Sequence, residues 1–255
     1  MPQAVHQWNP DDYARHSQGQ ERWARELLGL LNLQPYQSVL DVGCGDGRMT
    51  FEIAKLAGRV VGIDSSPEMV AFASRNFPES KFHNLSFQTA NAAALPFRDE
   101  FDVVYSNAVL HWVQDHESAL AGIARSLRSG GRCLLQMGGK GNSAEVIETF
   151  EASGARPQDF TYAFHSADEY RPKLKQAGLT VDSVQLIPKD MVHPNRAAFT
   201  GWLRTAWQPY HRHVPESQRD QFLEEVTDCF AAAHPPHPNG TFHVKAVRLQ
   251  VSARK

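Results

Sequence analysis

Apolar and polar positions follow two rhythms along the chain, and the rhythms exchange at short intervals. The runs "SVLDV" (38–42) and "RVVGID" (59–64) are apolar and β-branched, and read as strands. Between them, "RMTFEIAKLA" repeats apolar positions at helical spacing through Met49, Ile53 and Leu56. Ser66 followed by Pro67 marks the start of a second helix, running to Arg75 or so. "LSFQTA" (85–90) and "FDVVYSN" (101–107) read as the third and fourth strands. "ESALAGIARSLR" (117–128) reads as an amphipathic helix ended by Gly130-Gly131, and "RCLLQMG" (132–138) as a fifth strand. Apolar strands alternating with helices predict a parallel, doubly wound sheet covered on both faces.

The last third changes character. "SADEYRPKLKQAGL" (166–179) reads as a helix leading into the strand "TVDSVQLIP", and "TFHVKAVRLQVSAR" (241–254) alternates as a final strand. "NRAAFTGWLRTAW" (195–207) and "ESQRDQFLEEVTDCFAAA" (216–233) read as helices between those two strands. An insertion at 194–240 is therefore expected, acting as a helical cap over the active face of one domain spanning 1–255.

Composition narrows the class. A chain of 255 residues, 42% hydrophobic and 21% charged, suits one large globular domain with a substantial core. A formal net charge of −2 implies no bulk attraction to nucleic acid or to an anionic membrane. Cys44, Cys133 and Cys229 are far apart without C-x-x-C spacing, which argues against a disulfide framework or a zinc site. The N-terminus lacks the pattern of a secretory signal, and no apolar run reaches membrane-spanning length. A cytoplasmic protein is expected.

The stretch "VLDVGCGDGRMT" (39–50) sets Gly43, Gly45 and Gly47 at alternate positions between a strand and a helix. Glycines there let a ligand approach the main chain, whose N–H groups can bind its polar atoms. A tight turn that needs glycine for geometry alone is the plainer alternative. The dinucleotide fingerprint is G-x-G-x-x-G, whereas here the third glycine comes one residue early. Asp64 ends the second strand about twenty residues on, where an acid that binds ribose hydroxyls belongs. A cap or turn aspartate is the alternative for Asp64. Together the two features support an adenosine-containing ligand.

Five segments in order, "VLDVGCGDG", "VVGIDSSPEMV", "ANAAALPF", "FDVVYSNAVLHW" and "SLRSGGRCLLQM", resemble the class I S-adenosylmethionine-dependent methyltransferases. The resemblance spans Val39 to Met137. It implies a Rossmann-like, seven-stranded, mostly parallel sheet and S-adenosylmethionine as the methyl donor. It also implies that Asp41 and the backbone of Gly43, Cys44 and Gly45 hold the methionine end, that Asp64 takes the ribose hydroxyls, and that Ser65 and Met69 line the adenine pocket. Asn91 and Ala92 would lie at the adenine edge, where the family usually has an aspartate before that alanine. An asparagine carbonyl still accepts a hydrogen bond, so weakened recognition is expected there. Asn107 would lie beneath the cofactor with its main chain. A narrower similarity, in "WNPDDYARHSQGQ", "SNAVLHWVQDH" and, loosely, "GWLRTAWQPY", points to the trans-aconitate methyltransferase branch. It implies that a segment at 1–34 folds over the cofactor through Tyr13, His16 and Gln20. Trp23, Leu27 and Leu31 in the same segment also read as a plain core face.

Methyl transfer from a sulfonium is a direct displacement, so the protein must align the reactants and exclude water, with no metal required. A carboxylate acceptor is already ionised and needs no base, but it does need a cation, ideally an arginine. Arg204, flanked by Trp202 and Trp207, is the candidate clamp, with a surface arginine as the alternative. His111 follows the fourth strand, where the crevice belongs. It is a candidate base for a hydroxyl acceptor, a candidate donor to a carboxylate, or a packed histidine. Trp112 reads as packing. His193, His211, His213, His234, His237 and His243 match no ligand spacing and read as loop histidines at a polar surface. The sequence therefore favours O-methylation of a small carboxylate. Methylation of oxygen, nitrogen or carbon on another metabolite, or non-catalytic cofactor binding, are the alternatives. Nucleic-acid base methylation is disfavoured, because "SNAV" replaces the Asn-Pro-Pro-aromatic motif of those enzymes.

Overall fold

In the computed structural model, which describes residues 18–157 and 160–255, helix α1 (Gln18–Leu30) precedes strand β1 (Ser38–Val42). Helix α2 (Arg48–Ala54) leads to β2 (Arg59–Asp64), and α3 (Pro67–Asn76) leads to β3 (Leu85–Thr89). Strand β4 (Phe101–Asn107) is followed by α4 (His116–Ser126) and β5 (Leu127–Gly138). Helices α5 (Ala144–Ala152) and α6 (Ala167–Gln176) precede β6 (Thr180–His193). Helices α7 (Arg196–Ala206), α8 (Gln208–His211) and α9 (Glu216–Ala233) intervene before β7 (Phe242–Arg254).

All five residues of β1 are buried, as a strand with neighbours on both edges and helices on both faces must be. The sheet order is β3-β2-β1-β4-β5-β7-β6. Strands β1 to β5 pair in parallel, while β7 runs antiparallel to both β5 and β6. The order reverses between β1 and β4, so the carboxyl ends of these strands frame the crevice where ligands bind in such sheets.

Local signals position the helices. Ser66 accepts the N–H of Met69 and Pro67 occupies the first turn of α3. Asp115 accepts the N–H of Ser118 at the start of α4, and Ser166 and Glu169 form a capping box on α6. One apolar cluster packs β1, β4, β5 and β7 against α4 and α6 through Leu120, Ile123, Tyr170 and Leu174. Another sits on the opposite face, where Leu27 of α1, Leu31 just after it and Ile53 of α2 meet Val39, Val103 and Tyr105. Trp23, Leu27 and Leu31 are all buried, so the core-face reading of α1 holds. A third, aromatic cluster joins α5, α7 and α9 through Phe150, Phe199, Trp202 and Phe230.

The glycine pair does not end α4. That helix stops at Ser126, and Leu127 already pairs with Phe101, so Gly130-Gly131 falls inside β5 at a register shift. A bulge needs residues free of side-chain constraint, and Gly130 takes φ +76° there. Strand β6 runs on to His193, and the helices α5 and α8 have no counterpart among the expected elements.

Candidate active site

The turn after β1 is shaped by the protein's own packing. Gly43, Gly45 and Gly47 take φ of +82°, +53° and +82°. A Cβ on Gly43 would lie 2.0 Å from Val109 Cγ2, and one on Gly47 would lie 2.8 Å from Ala73 Cβ and 2.9 Å from the Phe87 ring. Val109 belongs to the segment after β4, so Gly43 lets the two crevice-forming segments touch. The N–H groups of Gly43 and Cys44 both donate to Ile63 O, at 2.7 and 2.8 Å, which fastens the turn to β2.

Two acids flank that turn. Asp41 is buried, and its Oδ2 accepts the Thr50 hydroxyl at 2.7 Å. Burial raises its carboxyl to about 7; the Thr50 hydrogen bond opposes the shift and the charge of Asp64 adds to it. Asp64 is half-buried and held by two backbone donors, Gly45 N–H to Oδ2 at 3.0 Å and Ser66 N–H to Oδ1 at 2.9 Å. Burial raises its carboxyl as well, against those backbone bonds. Ser65 is exposed beside it, whereas Met69 is buried in the first turn of α3. Asn91 is exposed, and its Oδ1 accepts the Ala93 N–H at 2.9 Å, holding the turn that carries the buried Ala92.

The end of β4 brings the second wall. Asn107 lies in register with Gln136 of β5, so the two side chains leave the sheet on one face. Their carbonyl oxygens, Asn107 Oδ1 and Gln136 Oε1, are buried without hydrogen-bond partners among the described residues. Gln136 also donates through Nε2 to Gln250 of β7 at 3.0 Å. Buried acceptors left in this state cost about 1–3 kcal/mol each, which a bound donor would recover. The chain then turns sharply: Ala108 takes φ +59°, a left-handed conformation unusual for a non-glycine residue.

His111 follows that turn. Its Nδ1 accepts the Gly138 N–H at 3.2 Å. Burial holds the imidazole well below its usual proton affinity, and the charges of Arg248 and His116 push it the same way. A neutral ring that accepts at Nδ1 carries its proton on Nε2. His111 is therefore a donor at its outer nitrogen. Aromatic rings surround it, with Trp112, Tyr162 and Phe164 centred 5.8, 6.0 and 5.8 Å away. Tyr162 donates to Ala206 O at 2.6 Å and meets Trp207 edge-on at 5.2 Å, which ties the end of α7 to this box.

Arg204 lies elsewhere on α7: its guanidinium pairs with Asp220 of α9 at 3.0 Å and is more than one-third exposed. The late histidines divide, and the surface reading is corrected for two of them. His193 and His211 are buried, packed against Trp202 and bonded to Arg204 O respectively, because both belong to β6 and α8 rather than to loops. His243 pairs with Asp190 at 2.7 Å. Among the described residues no group of three or more His, Cys, Asp or Glu could hold a metal, and no helix is long and apolar enough to cross a membrane. Tyr13 and His16 lie outside the described residues, as does the side chain of Gln20 within α1. The sequence reading does not single out Gln136, for which the polar glutamine inside "RCLLQMG" is the available signal.

Residues 40–135 match the family profile described as "Methyltransferase domain". An uncharacterized methyltransferase of Schizosaccharomyces pombe is 31% identical, with 97% of this chain and 98% of that protein covered. A trans-aconitate 2-methyltransferase of Paracidovorax citrulli is 30% identical, with 98% of this chain and 99% of that protein covered. Among solved structures, one described as a putative methyltransferase of Bacillus halodurans has the same fold, with a TM-score of 0.66 at 18% identity over 91% of this chain and 98% of that one.

Proposed function

The chain belongs to the class I S-adenosylmethionine-dependent methyltransferases, and on that premise we propose that it methylates a carboxylate oxygen of a small molecule. The cofactor supplies a methyl group on a positively charged sulfur, open to displacement by an acceptor oxygen. The chain's residues fit such a group. Asn107 Oδ1 and Gln136 Oε1 are two buried acceptors without donors among the described residues, suited to the ammonium of the methionine end. Asp41 and the main chain of Gly43, Cys44 and Gly45 would hold the same end, and Asp64, already oriented by Gly45 and Ser66, would take the ribose hydroxyls. Ser65, Met69, Asn91 and Ala92 are the residues assigned to adenine. Tyr13, His16 and Gln20 are assigned to closure over the cofactor.

The tautomer of His111 carries the choice of acceptor. A hydroxyl acceptor needs a base to take its proton, and a neutral imidazole that offers Nε2–H has no free lone pair to serve. A carboxylate arrives ionised and needs donors and orientation only. The aromatic box of Trp112, Tyr162, Phe164 and Trp207 supports the second need, since apolar rings beside His111 would keep water from an acceptor bound there. The kinship with proteins named trans-aconitate 2-methyltransferase supports the same class.

The test is transfer of labelled methyl to a panel containing trans-aconitate, other small carboxylates, phenols and amines. Label in base-labile methyl esters of carboxylates is the expected result. Label confined to phenols or amines would overturn the carboxylate reading while leaving the donor and the fold in place.

A further inference from the structure

A row of amides crosses the sheet beside an apolar layer. Asn107 of β4 lies in register with Gln136 of β5, and Gln136 lies opposite Gln250 of β7. Register partners project to one face of a sheet. Two residues earlier on β4 and β5, that face presents Tyr105 and Leu134, which pack in the cluster of Leu27 and Leu31. Asn107 is the last residue of β4, so the row stands at the carboxyl ends that frame the crevice. Gln136 is only 3% exposed, and its amide is divided between two states. Nε2 donates to Gln250 Oε1 at 3.0 Å, while Oε1 has no partner among the described residues. An amide turned over keeps its shape and exchanges donor for acceptor, so a neighbour decides which end it shows. Gln250 presents an oxygen, which accepts only. Gln136 must therefore give it Nε2 and keep Oε1 for another donor.

We propose that Gln250 is a positioning residue for the cofactor: by accepting from Gln136 Nε2, it sets Gln136 Oε1, alongside Asn107 Oδ1, to receive the ammonium of the methionine end. The inference rests on the reading above that gives those two oxygens to the ammonium. Gln250 acts through Gln136 and not by contact. Carbonyl oxygens accept and cannot donate, which suits a group whose N–H bonds are all donors. Asp41 of β1 shares this face, since it pairs with Tyr105, two residues before Asn107. A Gln136 amide turned the other way would set Nε2–H against the ammonium, donor against donor. Gln250 thus lets the site tell the cofactor's amino-acid end from the same molecule without its amine.

The test measures by calorimetry the affinities of S-adenosylhomocysteine and of its analogue with the amine replaced by hydrogen. Their ratio reports the ammonium site without any methyl transfer. Wild type is expected to favour the amine by about tenfold or more, since hydrogen bonds to a charged group are at stake. Q250M is close in length but lacks the amide oxygen. It should cut the ratio by about fivefold or more through weaker binding of the amine, with the analogue held within about twofold. Q250E keeps a group that only accepts and should hold the ratio at the wild-type level or above. A Q250M ratio equal to that of wild type overturns the positioning role. So does an equal fall for both ligands, the mark of a structural residue, or a Q250E ratio as low as that of Q250M. If neither Q250M nor the shorter Q250A folds, Gln250 is structural and the proposal is overturned. Q136M separates the two levels. A ratio kept in Q136M removes Gln136 from the ammonium and both readings with it, whereas a ratio lost in Q136M but kept in Q250M removes Gln250 alone.

Discussion

Asp64 Oδ2 accepts the Gly45 N–H at 3.0 Å, so the acid that ends β2 is gripped by the turn that leaves β1. The second oxygen is held by Ser66 N–H at 2.9 Å. A carboxylate fixed by two main-chain donors keeps lone pairs directed outward at little reorganisation cost. This is the arrangement wanted for paired ribose hydroxyls. Asp64→Ala should weaken S-adenosylmethionine binding by about 1.5–3 kcal/mol, the range for hydrogen bonds to a charged group. Calorimetry measures this directly. An affinity within twofold or so of wild type would remove Asp64 from the ribose role.

Gly43 and Val109 make a second, steric prediction. Alanine at 43 must accommodate both φ +82° and a Val109 methyl 2.0 Å from its Cβ. Gly43→Ala should destabilise the fold by about 1–3 kcal/mol from backbone strain alone, with overpacking added. Gly43→Ala with Val109→Ala should recover part of the loss, since two of the three clashing atoms are the Val109 Cγ methyls. Chemical denaturation of the two single variants and the double gives the coupling. Strict additivity would show that the contact does not set the cost.

Asp41 makes stability depend on pH. Its proton is held more tightly in the folded chain, at about 7, than in the unfolded one, at 3.8. Stability is therefore full below the unfolded value and is lost as pH rises through about 7. The swing is on the order of 4 kcal/mol for a shift of this size. Asp41→Asn should flatten that slope and raise the melting temperature at mildly alkaline pH, while weakening cofactor binding. Melting curves across the window check it, and an unchanged slope in the variant would assign the effect to another group.

Much of the first half of the sheet was legible because central parallel strands are buried on both faces. "SVLDV" and "RVVGID" therefore appear as largely apolar runs without polar alternation, and their bounds match β1 and β2. His111 was legible for a related reason: it follows β4 at the edge where such sheets bind ligands. What the sequence could not display was the consequence of β7 entering antiparallel between β5 and β6. That insertion brings Arg248 opposite Gly138, far away in the chain. The glycine turn predicts a ligand's close approach, yet at Gly43 the close neighbour is Val109. Arg204 looked like a clamp because it stands between two tryptophans, but neither tryptophan decides where its guanidinium goes; Asp220 of α9 does.

The Arg204–Asp220 pair therefore carries its own expectation. Both partners are solvent-accessible, so the pair is worth about 0–1 kcal/mol. Arg204→Ala should lower stability by no more than that and leave the preference for carboxylate over carboxamide intact. Inhibition constants for an unreactive carboxylate analogue and for its carboxamide measure the preference. Its loss in Arg204→Ala would make Arg204 the clamp after all.

His111 supplies the last expectation, in the pH profile. A general base of ordinary histidine affinity would give a rate that rises through about pH 6.5 as it loses its proton. His111 is held neutral well below that value, and its Nδ1 is occupied by Gly138 N–H. With cofactor saturating, kcat/KM for the acceptor should stay level between about pH 6 and 8 as far as His111 is concerned. His111→Gln, whose amide can still donate, should retain more activity than His111→Ala, with the alanine variant down by about tenfold or more. A rising limb near pH 6.5 that disappears in both variants would make His111 a base, and would shift the acceptor from carboxylate to hydroxyl.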